Sequence, residues 1–224
     1  MNQFQSADML GRFAQVFCCE ADVAAAIAGF ARHASYPPRA IIIGLGSRCE
    51  HVHIVLAGRA RARAMSADGR QAVLEDYLAG DLIGEMALVD AGDSALEVIA
   101  VELVEAAALL AHAMVALMTS HASVALAISR RVIVRLAEQN RRLAESSTLS
   151  ATGRVHAEIL RLARQRADLT IRPAPVLSQL AMQVQTTRET VSRTISMLEK
   201  RGIIRRDEVG LAVIAEHRLE DLVY

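Results

Sequence analysis

Thr186-Thr187-Arg188-Glu189-Thr190-Val191-Ser192-Arg193-Thr194-Ile195-Ser196-Met197-Leu198 is the stretch on which the reading of this chain turns. Val191, Ile195 and Leu198 recur at steps of four and three, so they share the inward face of a helix. Arg188, Glu189, Ser192 and Arg193 then lie on the opposite face, near its first turn. The spacing predicts a helix over Arg188–Arg201, capped by Thr186-Thr187, and before it a short helix over Gln179–Val184, capped by Ser178. Two short helices joined by so tight a turn form a helix-turn-helix, whose second helix meets base edges with its N-terminal residues. The chemistry suits a major groove: arginine bonds guanine O6 and N7 together, glutamate accepts from cytosine N4, and serine reads a base or positions a phosphate. Against this stands the plainer reading of Arg188 and Glu189 as an ion pair on a solvated helix face.

Working outward, Gly202-Ile203-Ile204-Arg205-Arg206-Asp207-Glu208-Val209-Gly210-Leu211-Ala212-Val213-Ile214 predicts a hairpin turning near Asp207–Gly210, which makes the unit a winged helix. Arg205 and Arg206 are placed to touch phosphate, which positions a protein on DNA without reading sequence. With Gln179 on the first helix and Thr187 at the turn, the candidate DNA contacts are Arg188, Glu189, Ser192, Arg193, Thr187, Gln179 and Arg205. The zero formal net charge of the 224-residue chain hides an asymmetry. Residues 1–152 carry 13 basic and 16 acidic side chains, and residues 153–224 carry 12 and 9. A basic segment in an otherwise neutral chain fits a polyanionic partner, double-stranded DNA.

Upstream, Ser146-Ser147-Thr148-Leu149-Ser150-Ala151-Thr152-Gly153 reads as a hinge, followed by a helix from about Gly153 to Ala167. Between Ser120 and Ser147 there is neither Pro nor Gly. Ala125, Ser129, Val132, Leu136, Gln139, Leu143 and Ser146 recur at alternating steps of four and three, the seam of a two-stranded coiled coil. This predicts a homodimer through residues 120–147, with Arg130, Arg131, Arg135, Glu138, Arg141 and Arg142 in solvent or on the flanks.

The N-terminal half has another texture. Residues 7–33 carry Phe13, Val16, Phe17, Val23, Ile27 and Phe30 at helical spacing, ended by Tyr36-Pro37-Pro38. Short apolar runs follow at Ile41–Ile43, Ile54–Leu56 and Ala72–Leu74, punctuated by Gly44, Gly46, Gly58, Gly80 and Gly84. They predict a β-roll, with a hairpin turn at Ser66-Ala67-Asp68-Gly69 and a half-wet strand at Arg59–Ala64. The period becomes helical around residue 106. The fold class is α+β: a β-roll sensor domain with an N-terminal helix over 1–119, a dimerisation helix over 120–147, and a winged helix-turn-helix domain over 148–224.

Composition narrows the function. Cys18, Cys19 and Cys49 are an odd set without C-x-x-C spacing, which argues against a disulfide framework, structural zinc or an iron–sulfur cluster. His51 and His53 leave haem ligation as a sensor option, though a histidine pair on a strand is more often surface or core. No apolar run is long enough to span a membrane, and Met1-Asn2-Gln3-Phe4 has no basic leader, so a cytoplasmic protein is expected. With no nucleophile–base pair, metal motif or phosphate loop in the sequence, an enzyme is not expected.

A roll, a long helix, a hinge and a winged helix in this order resemble the CRP/FNR superfamily of bacterial transcription regulators. The resemblance covers roughly residues 36–214. It rests on Tyr36-Pro37, Gly58, Gly80-Asp81-Leu82-Ile83-Gly84-Glu85 against the family's G-D-x-I-G-E signature, Thr152-Gly153-Arg154 at the hinge, and Arg188–Arg193 as recognition helix. Gln185 departs from the family, which places glycine in the turn. The resemblance implies a palindromic site with a TGA-type core in each half, Arg193 on the guanine, Glu189 on neighbouring pairs and Arg188 further out. RNA polymerase is the implied protein partner.

For the effector, the resemblance implies a pocket around Gly84, Glu85, Met86, Ala87, Ser94, Ala95, Leu96, Gln139 and Asn140. Cyclic-AMP-binding relatives hold the phosphate with an Arg-Ser pair about ten residues after G-E. Ala95 and Leu96 stand there in this chain, with Arg61 or Arg63 as candidate substitutes. A buried phosphate without its cation is costly, so an effector other than cyclic AMP, a cyclic dinucleotide among them, or no effector is expected. Gln139-Asn140 is open to two readings, contact with a purine edge or a polar seam position that fixes helix register. The alternative from another class is a module that binds cyclic AMP or cyclic GMP in the roll and acts on a protein partner.

Overall fold

The computed structural model describes residues 7–65, 71–89, 92–207 and 209–223. The hairpin turn expected at Ser66–Gly69 lies outside these residues. The chain divides into two units, Met1–Arg135 and Leu136–Tyr224.

The first unit begins with α1 (Ala7–Phe17) and α2 (Ala21–Phe30). The sequence suggested one helical pattern over 7–33. The structure breaks it at Cys18, whose φ of 48° lies in the left-handed region, and follows α2 with a strand, β1 (Arg32–Tyr36). Seven more strands follow: β2 (Ile41–Ile43), β3 (His51–Ala57), β4 (Ala60–Met65), β5 (Gln71–Tyr77), β6 (Leu82–Ile83), β7 (Glu97–Ala100) and β8 (Val104–Leu110). They form two four-stranded antiparallel sheets, ordered β1-β8-β3-β6 and β2-β7-β4-β5. The sheets face each other over Val55, Ile83 and Val104 on one side and Ile43, Ala60, Ala62, Tyr77, Val98 and Ala100 on the other. The outer face of the first sheet, through Val52, Ile54, Ala107 and Leu109, packs on Phe13, Phe17 and Ile27 and on α3 (Ala111–Ser120), through Met114 and Leu117. β8 is therefore buried on both faces. This explains why its apolar run read as helix from residue 106: a doubly covered strand has no period-two alternation.

Gly58 and Gly84 have structural reasons. Both have positive φ (82° and 88°), and an added Cβ would sit 1.9 Å from the Leu103 carbonyl oxygen at Gly58 and 2.5 Å from that of His51 at Gly84. A side chain there would force these backbones apart.

The long helix α4 (Ala122–Thr148) starts in the first unit, where Val124, Ala127 and Ile128 join the core. In the second unit α5 (Ala151–Ala163) is capped by Ser150, whose hydroxyl accepts from the Gly153 amide. After it come β9 (Thr170–Ile171), α6 (Leu177–Gln183), α7 (Arg188–Lys200), β10 (Ile204–Arg206), β11 (Leu211–Val213) and α8 (Glu216–Glu220). The wing is a three-stranded antiparallel sheet, β10-β11-β9, not the two-stranded hairpin alone. Val155, Ile159, Leu180, Val191, Ile195, Leu198 and Leu211 share one core. Burying seven such side chains, each stabilising by about 1.5–3 kcal/mol, is what fixes α7 against α5 and α6.

Candidate nucleic-acid interface and effector site

α7 has two faces of opposite character. Val191, Ile195 and Leu198 are at most 1% exposed, whereas Arg188, Glu189, Ser192 and Arg193 are exposed and line one open depression. An adjoining depression runs on along Ser192, Arg193, Ser196, Met197, Lys200 and Arg201. Thr187 is the cap the sequence predicts: its hydroxyl accepts from the Thr190 amide at 3.2 Å. Ser178 does not cap α6, because that helix starts two residues earlier than expected, at Leu177, with Val176 at the cap position and no side-chain bond. Gln179 sits half-buried in the first turns of α6. Hydrogen bonding to its own amide and to the Thr187 hydroxyl holds the Glu189 carboxyl below the usual carboxylate range, so it is an acceptor at neutral pH. Of the wing pair, Arg206 is engaged with Glu199 at 2.7 Å, while Arg205 is exposed and influences the Asp207 carboxylate only through space.

The turn between α6 and α7 is held by a residue the sequence placed only at the hinge. Arg154, on α5, donates to the carbonyls of Val184 (2.8 Å), Gln185 (2.9 Å) and Leu149 (3.1 Å). Gln185 has φ 51°, the conformation glycine takes without cost. Its place in the turn is thus tolerated with strain, and Arg154 bonds the carbonyl of that strained residue. Nearby, Arg141 pairs with Glu138 and Glu145, and Arg161 with Glu158. Hydrogen bonding from Arg141 pulls the Glu138 carboxyl down to about 2. Arg141 and Arg142, read as solvent or flank positions, belong to this ion-pair cluster.

In the roll, Gly84 is followed by a turn of 3₁₀ helix, Glu85–Val89, that carries the half-buried Glu85, exposed Met86 and half-buried Ala87. Glu75, opposite Ala62, also faces inward. Both carboxylates engage one cation, Arg135 of α4: its Nε lies 2.8 Å from Glu75, an Nη pairs with Glu85, and the guanidinium stacks 5.0 Å from the Tyr77 ring centroid. Burial raises the Glu75 carboxyl above its ordinary range, although Arg135 pulls it back. Ser94 turns its hydroxyl onto its own loop, donating to the Leu96 carbonyl at 2.7 Å; Ala95 is exposed, and Leu96 packs on the roll interior.

Arg61 and Arg63, the candidate phosphate-binding substitutes, are both paired with carboxylates. Ala60 and Ala62 occupy the inner face of β4, so Arg61 and Arg63, which alternate with them, face outward, where Arg61 binds Asp76 through two bonds (2.5 and 2.8 Å) and Arg63 binds Glu97. Gln139 and Asn140 fall in the second unit, on α4. His53 is 7% exposed, and its Nε2 meets the Tyr36 hydroxyl at 2.9 Å while Nδ1 is buried without a partner. Its burial, with His51 beside it, lowers its pKa to about 4. No group of three or more metal-ligating side chains occurs among the described residues.

Comparison with known proteins agrees with this architecture. Residues 33–121 match the cyclic nucleotide-binding domain family, and residues 153–222 match the Crp-like helix-turn-helix domain family. The cyclic AMP receptor protein of Thermus thermophilus is 28% identical over 193 residues, covering 84% of this chain and 87% of that protein. Among solved structures, a CooA mutant from Carboxydothermus hydrogenoformans shares the fold with a TM-score of 0.79 at 16% identity, covering 95% of each chain. The c-di-GMP responsive regulator CLP of Xanthomonas campestris does so with a TM-score of 0.72 at 19% identity, covering 87% of this chain and 99% of that one. A cyclic nucleotide-binding-type roll followed by a helix-turn-helix defines a DNA-binding transcription regulator. The chain belongs to the CRP/FNR family.

Proposed function

We propose that this regulator is a homodimer that binds a palindromic DNA site with a TGA-type core in each half, Arg193 contacting the guanine, Glu189 the neighbouring pairs and Arg188 an outer position. Ser192, Thr187, Gln179 and Arg205 position the backbone. The observation that carries this reading is the exposed quartet Arg188, Glu189, Ser192 and Arg193 on the first turns of a helix whose other face is buried. Dimerisation through residues 120–147 is supported by the exposure of Val132 (43%), Leu136 (57%) and Leu143 (67%) on α4. We take 1–119 as sensor, 120–147 as dimer helix and 148–224 as reader, acting in the cytoplasm with RNA polymerase and without catalytic activity. No single helix among the described residues is long and apolar enough to cross a membrane.

The effector is other than cyclic AMP, or there is none. Supporting this, Glu75 and Glu85 share the single guanidinium of Arg135, and Arg61 and Arg63 face away. An incoming phosphate would meet a net negative interior. The second reading, a module that binds cyclic AMP or cyclic GMP and acts on a protein, is favoured by the family match over residues 33–121. Electrophoretic shift of a TGA…TCA palindrome, with and without cyclic AMP, cyclic GMP and cyclic di-GMP, separates the two. A shift without cyclic AMP supports the proposal, and no shift under any condition supports the module.

A further inference from the structure

The polar face of α1 overlooks a groove unrelated to the roll interior. Asp8, Arg12 and Gln15 stand at i, i+4 and i+7 on that helix and line a groove of about 630 Å3 together with Ile54, Leu56, Gly80 and Arg131. Arg131 is anchored by two bonds to carbonyls, to Gly80 and, at 3.0 Å, to Val16 at the end of α1. Among the described residues no carboxylate lies within ion-pair reach of it, and its bonds there are to backbone carbonyls. Arg12 donates to the Leu56 carbonyl at 2.9 Å and meets Asp8 at 3.5 Å, with side chains 47% and 78% exposed; a pair so exposed neutralises little. A guanidinium has five N–H donors, and both arginines therefore keep donors to spare. Among the described residues the groove carries one positive charge more than it balances, beside the accessible apolar side chains of Val16 and Ala79.

We propose that this groove binds a small organic anion, a carboxylate or phosphate monoester head on an apolar body, with the head between Arg12 and Arg131. Such a ligand would touch α1, the roll and α4 at once, because Arg131 belongs to α4 and bonds the other two. It would do so independently of the roll interior, where the carboxylates of Glu75 and Glu85 favour the opposite charge.

Calorimetric titration of the full-length protein with benzoate, phenyl phosphate and neutral benzamide tests this. Binding of at least one anion, weakened about tenfold or more by Arg12→Gln, with benzamide inert, is the expected result. Which anion binds identifies the head group. Arg12 is half exposed and outside the core, so this variant keeps the fold; unchanged thermal unfolding confirms it. Binding of neither anion, equal binding of benzamide, or anion binding unaffected by Arg12→Gln overturns the proposal.

Discussion

Arg193 and Arg154 lie within one small unit and do different work. Arg193 is exposed on α7, where its Nε makes only a long bond (3.4 Å) to the Glu189 carbonyl, so the side chain is available to a ligand. Arg193→Ala is expected to leave thermal unfolding nearly unchanged and to weaken operator binding by about 1–3 kcal/mol per half-site. Arg154 engages all three of its guanidinium nitrogens with carbonyls. Arg154→Ala is therefore expected to lower stability by about 1–3 kcal/mol in denaturant titration and DNA affinity with it, with only partial rescue by lysine, which lacks the planar fork. His53 gives a pH dependence. Its pKa of about 4 when folded lies below the ordinary 6.5, so the unfolded chain binds the proton first. The stability that depends on neutral His53 is complete above pH 6.5 and declines as the pH falls toward 4, by about 2 kcal/mol at pH 5. Denaturant titrations at pH 8 and 5 should show this loss, reduced in His53→Gln; an equal loss in the variant would assign it elsewhere.

At the scale of elements, α4 is the least self-sufficient part. Beyond Ile128 it leaves the core, and Ile133 (64% exposed) and Val134 (70%) join Val132, Leu136 and Leu143 at the surface. If α4 pairs two copies as proposed, Leu136→Glu with Leu143→Glu is expected to convert that dimer to monomer in sedimentation while preserving helical content. An unchanged mass would remove α4 as the seam. α7 was the most legible element in the sequence, since its apolar spacing, its cap and its outward quartet all agree with the helix found at Arg188–Lys200. β8 and the α1–α2 break were illegible for physical reasons. A strand covered on both faces loses its alternation, and a turn made by Cys18 at positive φ has no glycine or proline to announce it. The arginines of α4 were misplaced because charge alone does not say which carbonyls wait across the fold. Arg131 and Arg135, expected in solvent or on the flanks, are instead bonded to the backbone and carboxylates of the roll. Arg154 stood in the hinge motif, but its bond to the turn joins residues thirty apart and leaves no local signal.

Over the whole molecule, as proposed, the reader keeps the family's chemistry and the sensor departs from it. A phosphate entering the roll would face Glu75 and Glu85 with Arg135 already shared between them. Titration of cyclic AMP should therefore give no saturable heat, whereas Ala95→Arg with Leu96→Ser should restore binding better when combined with Glu75→Gln. Binding of cyclic AMP by the unaltered protein would contradict that account of the roll. The claim on which the rest depends is that α7 reads the half-site guanine through Arg193. Fluorescence anisotropy decides it, with wild type and Arg193→Ala each titrated against a TGA…TCA duplex and one with both half-site guanines replaced. Either change alone is expected to cost about 1–3 kcal/mol per half-site, and both together little more than one. Fully additive losses, or equal binding of the two duplexes by the wild type, would contradict this role of Arg193.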